Sequence, residues 1–155
     1  HDDTRVFTRS GFTYETFQKS LFALHALSIK VIVHLILGLP HETREMMSAS
    51  VQAIANLPVW GIKLQLLHVL SGTDLAAYYE KTHFPVFSMD EYCEMIIDCL
   101  ELLPPEMVIH RITGDGPKDL LIAPMWSTGK RTVLNQIHRR LKERNTYQGR
   151  LATKR

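Results

Sequence analysis

Cysteine is nearly missing from this chain: Cys93 and Cys99 are the only two in 155 residues. They stand six apart in a stretch of helical apolar period, so they project from different turns and suit neither a disulfide framework nor a metal knot. A reducing, cytoplasmic compartment is the expectation. Long apolar runs are missing too. No stretch approaches the roughly 18 consecutive apolar residues of a membrane helix, and no charged-then-apolar leader stands at the front. The expected protein is soluble, with no membrane partner. An excess of one charge sign is also lacking: 18 Lys and Arg face 16 Asp and Glu, for a formal charge of +2. That is far from the concentrated basic field of a nucleic-acid binder. The chain opens at His1 rather than at a methionine, and helical periodicity begins within about a dozen residues. A piece of a longer protein is therefore expected.

What is present suffices for a core, with 45% of residues hydrophobic and no internal repeat or low-complexity tract. Phe17, Leu21, Leu24 and Leu27 recur at helical spacing and predict a helix over 13–27. The run 30–37, β-branched and apolar apart from His34, predicts a buried strand. Gly38-Leu39-Pro40 breaks it, and Thr43 caps a second helix whose stripe is Met47, Val51 and Ile54, ended by Pro58. Residues 61–70 read as one further strand and 73–79 as a short helix. Ser88 and Glu91 form a capping box for a helix over 88–103, stopped by Pro104-Pro105. Residues 107–112 read as a third strand and 113–117 as a loop. Residues 127–144 predict an amphipathic terminal helix, with Val133, Leu134, Ile137 and Leu141 inside and Arg139, Arg140, Lys142 and Arg144 on a basic solvent side. The apolar-poor tail, 145–155, is expected to fray.

Strands that alternate with helices imply parallel pairing, so the expected fold class is α/β: an open layer or an arc of a (β/α) barrel. Three strands leave an unpaired edge, which argues for missing strands from an N-terminal half. In such folds sites lie at the carboxyl ends of strands. Three loops qualify here: Gly38-Leu39-Pro40-His41-Glu42-Thr43, Leu70-Ser71-Gly72-Thr73 and Thr113-Gly114-Asp115-Gly116-Pro117.

The first loop and its strand, His34-Leu35-Ile36-Leu37-Gly38-Leu39-Pro40-His41-Glu42-Thr43, resemble a segment of radical S-adenosylmethionine (SAM) enzymes: a hydrophobic strand followed by Gly-Leu-Pro-Gly-Glu-Thr. The family pattern Gly-x-Ile-x-Gly-x-x-x-Glu falls on His34, Ile36, Gly38 and Glu42. The chain departs from it at His34, which replaces a glycine, and at His41, where many members carry a second glycine. Gly61 to Leu75 is similar to the sixth strand of that superfamily and its Gly-Thr-x-Leu exit. Pro104-Pro105-Glu106, Val108 to Pro117 and Thr146-Tyr147-Gln148-Gly149 resemble one bacterial radical-SAM family distantly similar to the elongator catalytic subunit. That resemblance leaves the substrate open.

The resemblance implies the C-terminal half of a radical-SAM barrel over 1–126, followed by a terminal helix and tail over 127–155. It implies SAM as cofactor, with its adenine near His34, Ile36, Gly38, Leu39, Pro40, Glu42, His68, Val69 and Leu70. The intact enzyme would cleave SAM at a [4Fe-4S] cluster to a 5′-deoxyadenosyl radical that abstracts hydrogen. The cluster motif Cys-x-x-x-Cys-x-x-Cys is absent, so this chain is expected to be inactive alone and to need the N-terminal half as partner. Substrate-side candidates are His110, Arg111 and Asp115. Arg111 suits a carboxylate or phosphate, and Asp115 a substrate amine or the turn itself. His34, His68 and His110 each fall on a predicted strand and could converge at one sheet end, but their spacing carries no metal-ligand signature. Residues 113–117 lack the Gly-Lys-Ser/Thr ending of a phosphate loop. Lys63 and Gln65 make one face of their strand wet, as either a lined cavity or an exposed face would require. The competing reading is a cluster-free module that binds a nucleotide, an RNA or a protein through the basic terminal helix.

Overall fold

In the computed structural model, residues 11–114 and 116–152 are described. Thr13, Thr43 and Thr73 each cap a helix, their hydroxyls accepting from the backbone N–H three residues on. They open α1 (Tyr14–Ala26), α2 (Arg44–Ala55) and α3 (Asp74–Thr82). The Ser88–Glu91 capping box forms as the sequence predicts and opens α4 (Met89–Leu102).

The expected strands appear as β1 (Ile32–Leu37), β2 (Gly61–Leu66) and β4 (Val108–Arg111), parallel and adjacent in the order β1-β2-β4. Val33, Leu35 and Leu37 stand in register with Ile62, Leu64 and Leu66. These residues share one core with Leu21 of α1, Met47, Val51 and Ile54 of α2, and Tyr92, Met95, Ile96 and Cys99 of α4. The helices thus cover one face. The other face, which carries His34, Ile36, Lys63 and Gln65, is exposed or half-buried. Continuous apolarity in 30–37 predicts burial on both faces; burial alternates instead, because no second layer of described residues lies across the sheet.

Four further expectations change. The strand read over 61–70 ends at Leu66. Leu67 still donates its N–H to the Leu37 carbonyl at 3.0 Å, but beyond His68 a separate strand, β3 (Val69–Leu70), pairs antiparallel with β5 (Leu121–Ala123). β5 carries no three-residue signal strong enough to read from sequence. The terminal helix is likewise divided. A 3-10 turn (Met125–Thr128) closes on Gly129, and α5 runs over Lys130–Glu143.

The basic solvent side of α5 is the third change. Arg140 bonds Glu94 at 2.6 Å and also Asp90, while Arg144 reaches Glu94 and Asp98 at 3.0 Å and Glu101 at 3.1 Å. Fourth, the tail is docked as far as it is described. Gln148 Nε2 donates to the carbonyls of Pro104 (2.7 Å) and Met107 (2.8 Å), and the N–H groups of Gly149 and Leu151 donate to those of Leu100 and Glu101. A tail poor in apolar side chains is held by hydrogen bonds to carbonyls of the last turn of α4 and of the turn that follows it.

Candidate functional site

The carboxyl ends of the three strands meet. Leaving β1, the chain enters a left-handed step at Gly38 (φ +85°), where an added Cβ would stand 2.9 Å from the Phe87 ring. The N–H groups of Gly38 and Leu39 both donate to Glu42 Oε2 at 3.2 Å, so the carboxylate closes the loop on itself. Burial pushes the Glu42 pKa up, against the pull of those two N–H donors in the other direction. Pro40 is buried, and His41 holds φ +66° with its Nε2 2.9 Å from the Tyr78 hydroxyl. His41, at which the radical-SAM resemblance leads one to expect a glycine, thus has a left-handed backbone.

His68, just past β2, lies under the third loop. An added Cβ at Gly114 would fall 2.0 Å from its ring, and its Nε2 is 3.1 Å from Ser127 Oγ. Beside these loops Phe87, Tyr92 and Trp126 form an aromatic chain with centroids 6.0 and 5.6 Å apart. Tyr92 donates to the Ile112 carbonyl and Trp126 to that of Phe87, which ties β4 and the 3-10 turn to the mouth of β1. Sequence reasoning did not single out these three aromatics. Their helical and loop positions read as ordinary core, and only the fold gathers them.

Of the residues expected near adenine, Ile36 (43% exposed) lies on the open sheet face beside Gln65, and Gly38, Leu39 and Glu42 form the rim of β1. His34 shares the face of Ile36, one step deeper in the sheet. Val69 is fully buried in a second apolar cluster with Leu67, Ala76, Phe84 and Ala123, and Leu70 pairs with β5, so both serve the small sheet. The three histidines do not converge. His34 sits mid-strand opposite Lys63, His68 just past the carboxyl end of β2, and His110 in the second half of β4 with its ring 5.2 Å from Trp60, at the amino end of β2. Among the described residues no group of three or more His, Cys, Asp or Glu is placed to hold a metal ion. Arg111 is the Cα partner of Lys63, and Asp115 lies outside the described residues.

Both thiols are buried in α4; burial raises the pKa of Cys93 and pushes that of Cys99 up to about 12. Protonated, core-facing thiols on different turns do not fit a [4Fe-4S] cluster. The residues around Ile36, the Gly38-Leu39 turn and His68, by contrast, offer an apolar contact, a close backbone approach and a polar ring, which fits one side of a nucleoside. A cleft of about 530 Å³ also runs between β4 and α5, lined by Ile109, His110, Arg111, Lys130 and His138 among others. No helix among the described residues is long and apolar enough to cross a membrane.

Parallel strands in chain order, helices on one face and loops gathered at the carboxyl ends define an arc of an α/β barrel. The archaeal Elp3 of Methanocaldococcus infernus, solved with an N-terminal deletion, has the same fold. It superposes with a TM-score of 0.80 at 18% identity, over 96% of this chain and 35% of that one. The chain belongs to the radical SAM C-terminal domain family, whose pattern matches residues 59–143. Similar full-length proteins include uncharacterized protein YtqA of Bacillus subtilis, 42% identical over 149 residues, which are 96% of this chain and 46% of that protein. MJ0486 of Methanocaldococcus jannaschii is 30% identical over 150 residues (96% and 47%), and YhcC of Escherichia coli 27% over 143 (92% and 46%). The chain spans about half the length of the curated relatives it matches.

Proposed function

We propose that this chain is the adenine-side half of a radical-SAM enzyme, and that the missing half of the barrel supplies the cluster. Ile36, the Gly38-Leu39 turn and His68 would hold the nucleoside side of SAM. Bound at a cluster, that cofactor supplies one-electron hydrogen-abstraction chemistry. The chain's own residues do the positioning. Ile36 gives the base an apolar seat, Glu42 fixes the turn by engaging its two N–H groups, and the aromatic chain Phe87-Tyr92-Trp126 keeps that turn packed. Alone, the chain performs no cleavage, because its two thiols are buried. The observation that carries this reading is an open sheet face, polar at Lys63 and Gln65, beside a β1 exit of the family type. The competing reading, a module that binds a nucleotide, an RNA or a protein through the terminal helix, has less to support it, since two of its four cations, Arg140 and Arg144, are paired with α4 carboxylates.

Adenosine titrated into the isotope-labelled chain should move amide resonances at 36–39 and 67–68. Affinity should be weak, because several kcal/mol of contacts to the methionine end lie elsewhere, at about 1.4 kcal/mol per decade. Ile36→Glu, on an exposed position, should abolish those shifts and Lys142→Gln should not. Unchanged adenosine binding by Ile36→Glu would remove the adenine site from this face. Gly38→Leu is a poor probe, because its side chain would strike Phe87 and strain the turn whether or not a ligand binds.

A further inference from the structure

We propose that Ser127, in the 3-10 turn before α5, is a positioning residue for the candidate site: it fixes a proton of His68 on Nε2 and so makes that ring a rigid post for the loop over 113–117. The inference rests on the reading of the strand exits as the nucleoside site, in which His68 forms one wall. Ser127 is 7% exposed. Its Oγ lies 2.8 Å from the Pro124 carbonyl oxygen and 3.1 Å from His68 Nε2. A hydroxyl has one proton to give and two lone pairs to accept with, whereas a carbonyl only accepts. The Ser127 proton therefore goes to Pro124, and the second contact is made with a proton from the ring. If Ser127 donated to a bare Nε2 instead, two buried oxygens would face each other at 2.8 Å with no proton between them, which costs free energy. A neutral imidazole carries one N–H, so neutral His68 is the Nε2–H tautomer.

Two glycines of the loop lie against the ring so held. A Cβ at Gly114 would stand 2.0 Å from Cε1 and 2.6 Å from Nε2 of His68, and one at Gly116 would stand 3.0 Å from Nδ1. Gly114 does not hold a left-handed φ, so at that position the ring, rather than the backbone conformation, is what requires glycine. One side chain thus joins three pieces that are distant in sequence: the exit of β2, the loop that leaves β4, and the turn that leads into α5. Because the loop rests on the ring, the stance of the ring sets where the loop meets a ligand at the strand exits. Thr128 supplies an internal comparison. Its hydroxyl donates to the Met125 carbonyl at 3.0 Å, the same local bond that Ser127 makes to Pro124, one residue farther along the turn.

Long-range proton–nitrogen NMR spectra of the labelled chain at about pH 8, above the usual histidine range, read the ring directly. His68 is expected with Nε2 protonated and Nδ1 not. Ser127→Ala should let the other tautomer appear and should shift the amides of 114 and 116. Ser127→Thr, which keeps the hydroxyl, should restore both, and Thr128→Ala should change neither. In urea unfolding, Gly114→Ala should destabilise the wild type and cost much less in a His68→Ala background, where the added methyl has room. Titrated with adenosine, folded Ser127→Ala should bind about threefold more weakly or worse, the share of one ordinary hydrogen bond. The proposal is overturned if Nδ1 of the wild type is protonated, if Ser127→Ala leaves the ring signals unchanged, if Thr128→Ala disturbs them as much, or if Gly114→Ala costs the same with and without His68. Adenosine binding that survives intact in Ser127→Ala, with the ring altered, removes the positioning role. A chain that shows the expected tautomer and loop response but ignores adenosine keeps the post and loses the nucleoside reading.

Discussion

Glu42 shows how one side chain holds the β1 exit together. Its carboxylate accepts two backbone N–H groups that the left-handed step at Gly38 leaves pointing inward, and it does so while more than half out of water. Burial outweighs the two donors and raises its pKa, so the folded chain binds this proton more tightly than the unfolded one, whose glutamate titrates near 4.3. The sign follows by linkage: the contribution is fully present below the unfolded value and is lost as pH rises through the folded one. Glu42→Gln keeps an acceptor oxygen and removes the titration. Urea unfolding between pH 4 and pH 7 should therefore show the wild type losing more stability with rising pH than the variant does. Parallel losses in the two proteins would assign the pH dependence to another group. His41 belongs to the same scale: at φ +66° it is a side chain in a backbone conformation that favours glycine, at a strain of about 1 kcal/mol.

Between elements, the α4–α5 contact is a stripe of carboxylates read by two arginines. Asp90, Glu94, Asp98 and Glu101 recur at helical spacing along α4, and Arg140 and Arg144 stand four apart at the end of the chain's last helix. The Arg140 side chain is only 17% exposed, so its pairs are worth more than the 0–1 kcal/mol of a surface bridge and less than a fully buried one. Arg140→Ala should cost about 1–2 kcal/mol in urea unfolding, whereas Arg139→Ala, at a side chain that is 65% exposed, should stay within about 0.5 kcal/mol. Equal effects would mean that the stripe is decoration. The basic face of α5 was legible in the sequence, but its partner was not, because the four acids lie some 45 residues away and i,i+4 rules look only along one helix. For the same reason the docking of Gln148 onto Pro104 and Met107 was invisible in a tail that composition reads as loose.

At the scale of the molecule, the helices insulate one face of the sheet, and among the described residues nothing stands across the other. Chain length agrees, since the relatives carry about as much sequence again. Because both thiols are buried in α4 and held protonated, anaerobic treatment of the chain with iron and sulfide should leave no cluster absorbance after gel filtration. A stoichiometric cluster lost on replacing Cys93 or Cys99 would contradict both the burial and the proposed division of labour. If the proposed division of labour holds, mixing with the N-terminal half of a relative is the condition under which absorbance should persist.

Local chemistry sufficed for much of this. Threonine and serine caps, proline stops and runs of β-branched residues determined three parallel strands and their helices, because these signals act within a few residues and the tertiary structure did not oppose them. The motif around Gly38 was legible for the same reason: a left-handed step needs glycine wherever it occurs. Contacts distant in sequence were decided only by the fold. The pairing of Val69–Leu70 with Leu121–Ala123, the burial of Glu101 beneath Arg144 and Thr146, and the cross-strand partnership of His34 with Lys63 all join residues whose neighbours along the chain say nothing of one another. Register is a property of two strands at once, so which side chains share a face could be read from one strand, but which stand side by side could not.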